Sequence, residues 1–303
     1  MNLAPIVLFV YNRPNHTRKT VEALQKNELA SKSMLFIYSD AAKNMAAEDK
    51  VNEVRDYINT IDGFKKVTVI KRENNWGLAN SIIDGVTKIV NEYGKIIVLE
   101  DDLVTSTYFL KFMNDALDFY ENNKEVVCIH GYQYPLKDSS HLPDTFFIKG
   151  ADCWGWATWT DGWIIFETEG KKLLKELQTK KLQREADFNN SFAYTKMLKD
   201  QIKGKNNSWA IRWYMSAFLK NKLTLYPKKS LVQNIGFDNS GTHSNLTEHF
   251  FIKDMTKKLP LLDKSIQVTE NHEAKKFMEE YFKSIKLNFF SKSLIRIKRL
   301  IGL

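Results

Sequence analysis

The sequence predicts an α/β fold in which helices flank a mostly parallel central sheet. Short apolar segments of strand length alternate along the first half of the chain with segments that have apolar residues at helical spacing. Most of these short segments are continuously apolar, which is typical of parallel strands buried on both faces. The 303 residues, 43% of them hydrophobic, suffice for one large core of this kind.

The predicted elements of the first half follow one another regularly. Breaks rich in asparagine, aspartate, glycine or proline separate them. The predicted strands are residues 6–11, 34–38, 66–71, 96–99 and 126–130, and the predicted helices are residues 17–26, 46–59, 78–93 and 109–122.

The sequence pattern changes at about residue 135, because the predicted loops become longer and tryptophans cluster after this point. We expect two halves of one domain, residues 1–135 and 136–260, and then a helical basic tail at 261–303. The later predicted elements are a charged helical region at 171–203, a helix at 208–221, short strands at 223–226 and 231–232, and a loop at 234–243.

Polar residues follow each of the first four predicted strands. In open parallel sheets, ligands bind at the carboxyl ends of the strands. These polar ends therefore predict a ligand site along one edge of the sheet. They are residues 12–13, 39–40, 72–74 and 100–102.

Glu100, Asp101 and Asp102 form an acidic triplet directly after the fourth predicted strand. Mg²⁺ and Mn²⁺ prefer oxygen ligands, often carboxylates together with substrate phosphates. Three adjacent acids repel one another unless a cation neutralises them. The alternative is a solvated acidic turn with a helix N-cap. The strand pattern around the triplet favours the metal site.

Composition limits the other possibilities. The net charge of +9 is compatible with anionic lipids or phosphate-bearing substrates, but no nucleic-acid-binding motif accompanies it, so we expect no nucleic-acid partner. Two cysteines suit a reducing compartment. The sequence contains no pattern of a signal peptide or a membrane-spanning helix, which predicts a cytoplasmic or membrane-peripheral protein.

Several segments resemble GT-A glycosyltransferases. The run 97–102 (IVLEDD) looks like their metal-binding acidic motif, in the form found in family 2-like bacterial surface-polysaccharide transferases and in N-acetylglucosaminyltransferase I. The resemblance extends over about residues 4–250 and implies a Rossmann-like GT-A sheet with a C-terminal acceptor-side extension. The other similar segments are 5–14, 75–81, 151–159, 208–213 and 234–243.

The resemblance implies a nucleotide-diphosphate sugar as donor, with a UDP-sugar preferred, and Mn²⁺ or Mg²⁺ as cofactor. Asp102 is the implied metal ligand, and His243 is the implied second contact to the metal or diphosphate. The implied donor and nucleotide contacts are Tyr11, Asn12, Arg13, Asp40, Arg72, Asn75, Asn80, Glu100 and Asp101.

Other roles remain open for some of these residues. Asp40 also suits a turn or helix cap, and Asn80 a helix start. Arg72 also suits an ordinary surface charge. A lone histidine such as His243 is often structural or exposed.

The catalytic base is less well marked. In the resembling N-acetylglucosaminyltransferase an aspartate follows a tryptophan at a late helix start, whereas here Ala210 follows Trp209. An inverting transfer needs a carboxylate beside the acceptor hydroxyl. Asp152 is the preferred candidate, with Asp161 and Asp238 as alternatives. A turn in a loop is the other role open to all three.

Tryptophans in the second half are candidates for acceptor binding, because sugar faces pack on aromatic rings. Trp154, Trp156 and Trp209 are the predicted platform. Core packing is the alternative for each.

Residues 289–301 combine apolar residues with four cations. As a helix, this segment fits an anionic membrane leaflet, or else it docks on its own domain.

The expected function is transfer of a hexose onto a glycan or lipid-linked acceptor in surface-polysaccharide synthesis, in the cytoplasm or on the inner face of the membrane. A nucleotidyltransferase is the alternative enzyme, although residues 11–15 lack the glycine its phosphate loop needs. A non-catalytic sugar- or nucleotide-binding domain is also left open by Ala210.

Overall fold

The computed structural model describes residues 2–137, 139–238, 250–252 and 254–300, with side chains of the final helix described up to residue 286. Strands and helices alternate in the first half, as predicted, except that one short, unpredicted strand directly follows the fourth strand. They are β1 (Ile6–Val10), α1 (Pro14–Gln25), β2 (Met34–Ser39), α2 (Met45–Ile58), β3 (Lys66–Lys71), α3 (Gly77–Tyr93), β4 (Lys95–Glu100), β5 (Leu103–Thr105), α4 (Phe109–Phe119) and β6 (Val126–His130).

The second half contains more strand than predicted. The elements are β7 (Thr145–Lys149), β8 (Trp156–Trp159), α5 (Thr160–Trp163), α6 (Gly170–Thr179), α7 (Gln183–Ala186), α8 (Tyr194–Ile202), α9 (Trp209–Leu219), β9 (Leu223–Pro227), β10 (Val232–Asn234) and α10 (His272–Leu300). Strands β7 and β8 lie where loops were predicted, because their strand partners are distant in sequence. The charged helical region predicted at 171–203 forms three helices, α6, α7 and α8.

The main sheet has eight strands in the order β3-β2-β1-β4-β8-β6-β9-β7. Strands β3, β2, β1 and β4 are parallel neighbours, and β6 pairs in parallel with β9. Strands β8 and β7 run against the other six. The predicted α/β fold with a mostly parallel central sheet and flanking helices is therefore confirmed, and the sheet takes strands from both halves of the chain.

Both faces of the sheet are buried. Along β1, Ile6 and Leu8 belong to one apolar cluster, which includes α1 and α4, whereas Val7 and Phe9 belong to another, which includes α3 and α9. Successive side chains of a strand point to opposite faces, so this division places helices on both sides. It explains why the strand is continuously apolar in sequence.

The C-terminal helix α10 packs on the domain through its first half. The Phe282 ring lies 5.0 Å from that of Tyr134 and 4.9 Å from that of Phe192, between ring centroids. The predicted membrane-binding segment 289–301 lies outside the residues whose side chains are described. Within the described part of the chain, every helix is too short or too polar to span a bilayer.

Candidate active site

The carboxyl ends of the four parallel strands meet at one edge of the main sheet. Val10 of β1 is paired with Ser39 of β2, and Phe9 with Glu100 of β4. The residues that follow these strands therefore lie side by side, where a ligand site is expected. Because β8 runs antiparallel to β4, the segment 151–155 before β8 reaches the same edge. We call this the carboxyl edge.

Tyr11 and Asn12 follow β1 directly and are partly exposed at the carboxyl edge. The backbone N–H of Tyr11 donates to Oδ2 of Asp101 at 3.4 Å, and its phenol oxygen accepts from the backbone N–H of Lys43 at 3.0 Å. These contacts fix Tyr11 between the acidic triplet and the segment that follows β2.

Arg13 lies against the acidic cluster, which consists of Glu100, Asp101 and Asp102. Its Nη1 donates to Oδ2 of Asp102 at 2.8 Å and lies 3.9 Å from Oδ1 of Asp101. The side chains of Arg13 and Asp102 are only 19% and 16% exposed. A partly buried pair of this kind is screened much less by salt than a surface pair. Arg13 therefore supplies positive charge to a cluster of three acids.

The acidic cluster remains short of positive charge. Burial, and then the charges of Asp102 and Asp101, raise the pKa of Glu100 well above its usual value. Burial, and then the charge of Asp102, raise the pKa of Asp101 to about 7. The Arg13 guanidinium opposes both shifts without cancelling them. Mutual repulsion among buried carboxyl groups is the condition that a bound cation relieves.

The chain after β10 passes directly over Asp102. Strand β10 pairs with β5, which follows the acidic cluster, and the backbone N–H of Ile235 donates to the Asp102 carbonyl at 2.8 Å. A Cβ atom on Gly236 would lie 2.1 Å from Oδ2 of Asp102 and 3.2 Å from Nη1 of Arg13. Glycine at 236 therefore lets the backbone lie this close to the carboxylate, where a side chain would collide with it.

Asp40, at the end of β2, holds the start of α3. Its Oδ1 accepts from the backbone N–H of Ala41 and of Trp76, both at 2.9 Å. Its Oδ2 accepts from the Gly77 backbone N–H at 2.8 Å and from Asn75 Nδ2 at 3.1 Å. The Asp40 residue is 6% exposed, so these four donors surround it. This geometry is the cap-like role left open for Asp40, and it also places Asn75.

Replacing Asp40 with alanine is expected to destabilise the fold by about 3 kcal/mol, because buried N–H groups lose their acceptor. Urea unfolding of the variant and the wild type measures this difference. Asp49→Ala is the matched control, since Asp49 is exposed on α2. A loss of unfolding free energy in Asp40→Ala no larger than that in the control would show that the hydrogen bonds to Asp40 contribute nothing to stability.

Arg72 follows β3 and is buried between two rings. Its guanidinium carbon lies 3.8 Å from the Trp76 ring centroid and 5.0 Å from that of Tyr38. It also forms an ion pair with Asp84 of α3. Asn80 donates to the Trp76 carbonyl at 3.0 Å. Arg72 is therefore no free surface charge, and Asn80 stabilises the start of α3.

Asp152 is anchored at the carboxyl edge beside two phenols. The hydroxyls of Tyr134 and Tyr226 donate to its Oδ2 at 3.0 and 2.9 Å, and the Cys153 backbone N–H donates to its Oδ1 at 2.8 Å. Nε2 of His130 lies 3.7 Å from Oδ1, and burial lowers the pKa of His130. A carboxylate offers about four acceptor positions, so Asp152 retains room for one further donor.

The other two candidate bases lie in different places. Asp161 follows β8, whose far end pairs with Lys95 at the start of β4, so it lies at the opposite edge of the sheet. There it is 70% exposed and pairs with Lys124. This removes Asp161 from the site. Asp238 is half-exposed in the loop that crosses the acidic cluster, and its Oδ2 lies 3.2 Å from Nε2 of His16.

The three predicted acceptor tryptophans differ in exposure. Trp156 and Trp209 are 0% and 3% exposed and stack on each other with ring centroids 5.5 Å apart. They are core residues, which is the packing alternative, and their faces are closed to a ligand. Trp154 is partly exposed and packs against Tyr132 and Phe237.

Some residues of this edge have no signal in the sequence. The contacts of Tyr134 and Tyr226 with Asp152 span 18 and 74 positions, so no local spacing marks them. Gly236 lies in the similar segment 234–243, but its closeness to Asp102 is visible only in the structure. The predicted contact His243 lies outside the described residues. Within the described part, no group of three or more acidic, histidine or cysteine side chains has a geometry that would hold a metal ion as it stands.

Comparisons with known proteins give low similarity. No protein-family model and no curated protein matches the chain. Solved structures with partial similarity include S. aureus TarS, at 16% identity and a TM-score of 0.30 over 41% of this chain and 21% of that one. The mannosyltransferase PcManGT from Pyrobaculum calidifontis, solved with GDP-Man and Mn²⁺, has 12% identity and a TM-score of 0.33 over 44% of this chain and 39% of that one. TarS 1-349 of S. aureus has 14% identity and a TM-score of 0.32 over 57% of this chain and 49% of that one. The chain thus spans less than half of the length of each of these structures.

Proposed function

We propose that the chain is a GT-A-type glycosyltransferase that moves a hexose from a nucleotide-diphosphate sugar, preferentially a UDP-sugar, to a glycan or lipid-linked acceptor. The transfer inverts the configuration at the anomeric carbon of the sugar and uses Mn²⁺ or Mg²⁺. The observation that carries this proposal is the convergence of the acidic cluster, Arg13 and four strand ends at the carboxyl edge. Action on surface polysaccharide at the inner face of the membrane belongs to the same proposal.

The residues present fit a divalent cation. The donor set consists of carboxylate oxygens, which Mg²⁺ and Mn²⁺ prefer. The Arg13 guanidinium already provides a positive charge at Oδ2 of Asp102, and the Gly236 backbone covers that atom closely because no side chain intervenes. Asp102, assisted by Asp101, would hold the ion. When bound, the ion would neutralise the charge that develops on the departing diphosphate.

The donor side is built from residues of the first four strand ends. Tyr11 and Asn12 would line the nucleotide, and the Arg13 guanidinium would meet a phosphate. Glu100 and Asp101 would accept hydrogen bonds from ribose or sugar hydroxyls. Asp40, Asn75 and Asn80 shape this side by fixing the start of α3.

The acceptor side centres on Asp152 as the base that takes the proton of the acceptor hydroxyl. Tyr134 and Tyr226 keep its carboxylate in one orientation, and one acceptor position of the carboxylate remains for the incoming hydroxyl. Trp154 supplies an aromatic face nearby. Asp238 is the second candidate base, because its loop crosses the acidic cluster.

A thermal-shift panel tests the donor class. The full chain is heated with UDP, GDP, CDP or ADP, each with and without Mn²⁺. One nucleoside diphosphate at about 100 times its Kd is expected to raise the melting temperature by about 5 °C, and only in the presence of Mn²⁺. Absence of any response to all four nucleotides would overturn the proposal.

A non-catalytic binding domain is the second candidate function. It is favoured by one observation: three protein donors already occupy most of the Asp152 carboxylate. Such a domain would give the same thermal shift without releasing nucleoside diphosphate from a sugar donor. Measuring that release with the nucleotide selected by the panel separates the two functions.

A further inference from the structure

We infer that Arg13 is a resident counter-ion of the acidic cluster and competes with the divalent cation for Asp102. Because this rests on the proposed function, it concerns the order and coupling of binding within the same site. Its consequence is that metal and nucleotide bind cooperatively: each binds weakly alone because Arg13 holds the carboxylate, and together they displace it.

The contact geometry puts the guanidinium where a cation would bind. Nη1 of Arg13 is 2.8 Å from Oδ2 of Asp102, and the Gly236 backbone lies so close to this oxygen that a Cβ would collide with it. A Cβ there would also be 3.2 Å from Nη1, so the loop closes over both partners. A divalent cation on Oδ2 and the guanidinium 2.8 Å from the same oxygen would repel each other strongly in a partly buried setting. Metal binding at Oδ2 therefore favours release of Arg13 from that atom.

A displaced Arg13 needs another anionic partner. It lies at the start of α1, two residues after Tyr11, so it remains at the donor side of the carboxyl edge. A diphosphate oxygen provides such a partner, and the planar guanidinium suits phosphate oxygens. Metal binding alone breaks the ion pair between Arg13 and Asp102. When the nucleotide binds as well, Arg13 forms a new ion pair with the diphosphate in its place. Linkage then requires that each ligand raise the affinity for the other by the same factor.

Mn²⁺ binding to the full chain tests this, with free Mn²⁺ measured by electron paramagnetic resonance. In the absence of nucleotide, Arg13→Gln is expected to bind Mn²⁺ on the order of tenfold more tightly than the wild type, because the competitor is gone. Lys43→Gln is the matched control. Lys43 is an exposed cation whose backbone N–H contacts Tyr11, and its removal is expected to change the affinity less than about twofold.

The same titration with saturating nucleoside diphosphate completes the cycle. The wild type is expected to gain more Mn²⁺ affinity from the nucleotide than Arg13→Gln gains. Arg13→Lys keeps the positive charge on a different head group, so its gain in Mn²⁺ affinity from the nucleotide is expected to lie between those of the wild type and Arg13→Gln. It serves as a second variant should Arg13→Gln fold poorly.

Three results would count against the inference. It is overturned if Arg13→Gln binds Mn²⁺ alone no more tightly than the wild type, or if Lys43→Gln tightens binding equally. If neither the wild type nor the variants bind Mn²⁺ with or without any nucleotide, the proposed function itself fails. That result is distinguishable from a failure of the inference alone, in which Mn²⁺ binds but its affinity does not change when Arg13 is replaced.

Discussion

Replacing Asp102 with asparagine is expected to abolish Mn²⁺-dependent stabilisation by the nucleoside diphosphate and the release of that diphosphate from its sugar donor. Asparagine keeps the shape of the side chain but removes the negative charge that holds the cation. Changes to residues that only support metal ligands already lower metal affinity by about 10- to 100-fold, so losing a ligand should cost at least as much. The thermal-shift panel and a diphosphate-release assay measure the two effects.

Asp161→Asn is the matched control for this experiment. It makes the same chemical change on an exposed aspartate at the opposite edge of the sheet. We expect it to leave the melting temperature, the nucleotide response and diphosphate release unchanged. An Asp102→Asn protein that kept the Mn²⁺-dependent shift would show that the metal ligand has been assigned to the wrong residue.

The arrangement of the proposed donor side could largely be predicted from sequence, because each polar segment directly follows its strand in the chain. Three of the first four strands contain a continuous apolar run and the third, KVTVIK, alternates, and the polar residues that follow each strand are its immediate neighbours in the chain. Parallel pairing then brings those strand ends together without further information. Glu100 pairs with Phe9 because β4 pairs with β1, and this places the acidic cluster beside Arg13.

The arrangement of the proposed acceptor side could not be predicted in the same way, because it depends on the direction of strand β8. Strand β8 lies between β4 and β6 and runs against both. Its direction brings Asp152, before the strand, to the carboxyl edge and carries Asp161, after it, to the other edge. Nothing in the local sequence distinguishes these two aspartates. For the same reason, the burial of Trp156 follows from pairing and not from its neighbours in the chain.

The role of Asp40 illustrates a further limit. A polar residue after a buried strand predicts either a ligand contact or a cap. The donors that decide between them, Trp76 and Gly77, lie 36 and 37 positions away. Only the packing of α3 against β1 and β2 brings them to the carboxylate. Residue type and position therefore located Asp40 at the edge, while tertiary contacts determined its hydrogen bonds.

Replacing Asp152 with asparagine is expected to lower kcat for diphosphate release by about 10²- to 10⁴-fold, the usual contribution of a general base. The affinity for nucleoside diphosphate with Mn²⁺ should stay within about threefold of the wild type, because the proposed role of Asp152 concerns the acceptor and not the diphosphate. The amide oxygen can still accept from Tyr134 and Tyr226, so the phenols remain paired.

Two further variants test whether Asp152 acts as the catalytic base or only holds the segment before β8 in place. Tyr226→Phe removes one hydrogen bond to Asp152 and leaves the carboxylate, so kcat should fall much less than in Asp152→Asn. Asp238→Asn tests the other carboxylate near the acidic cluster. If Asp152 only anchors the segment before β8, its replacement will lower the melting temperature while kcat measured on folded protein stays within about threefold. In that case a large loss in Asp238→Asn would transfer the role of base to the loop that crosses Asp102.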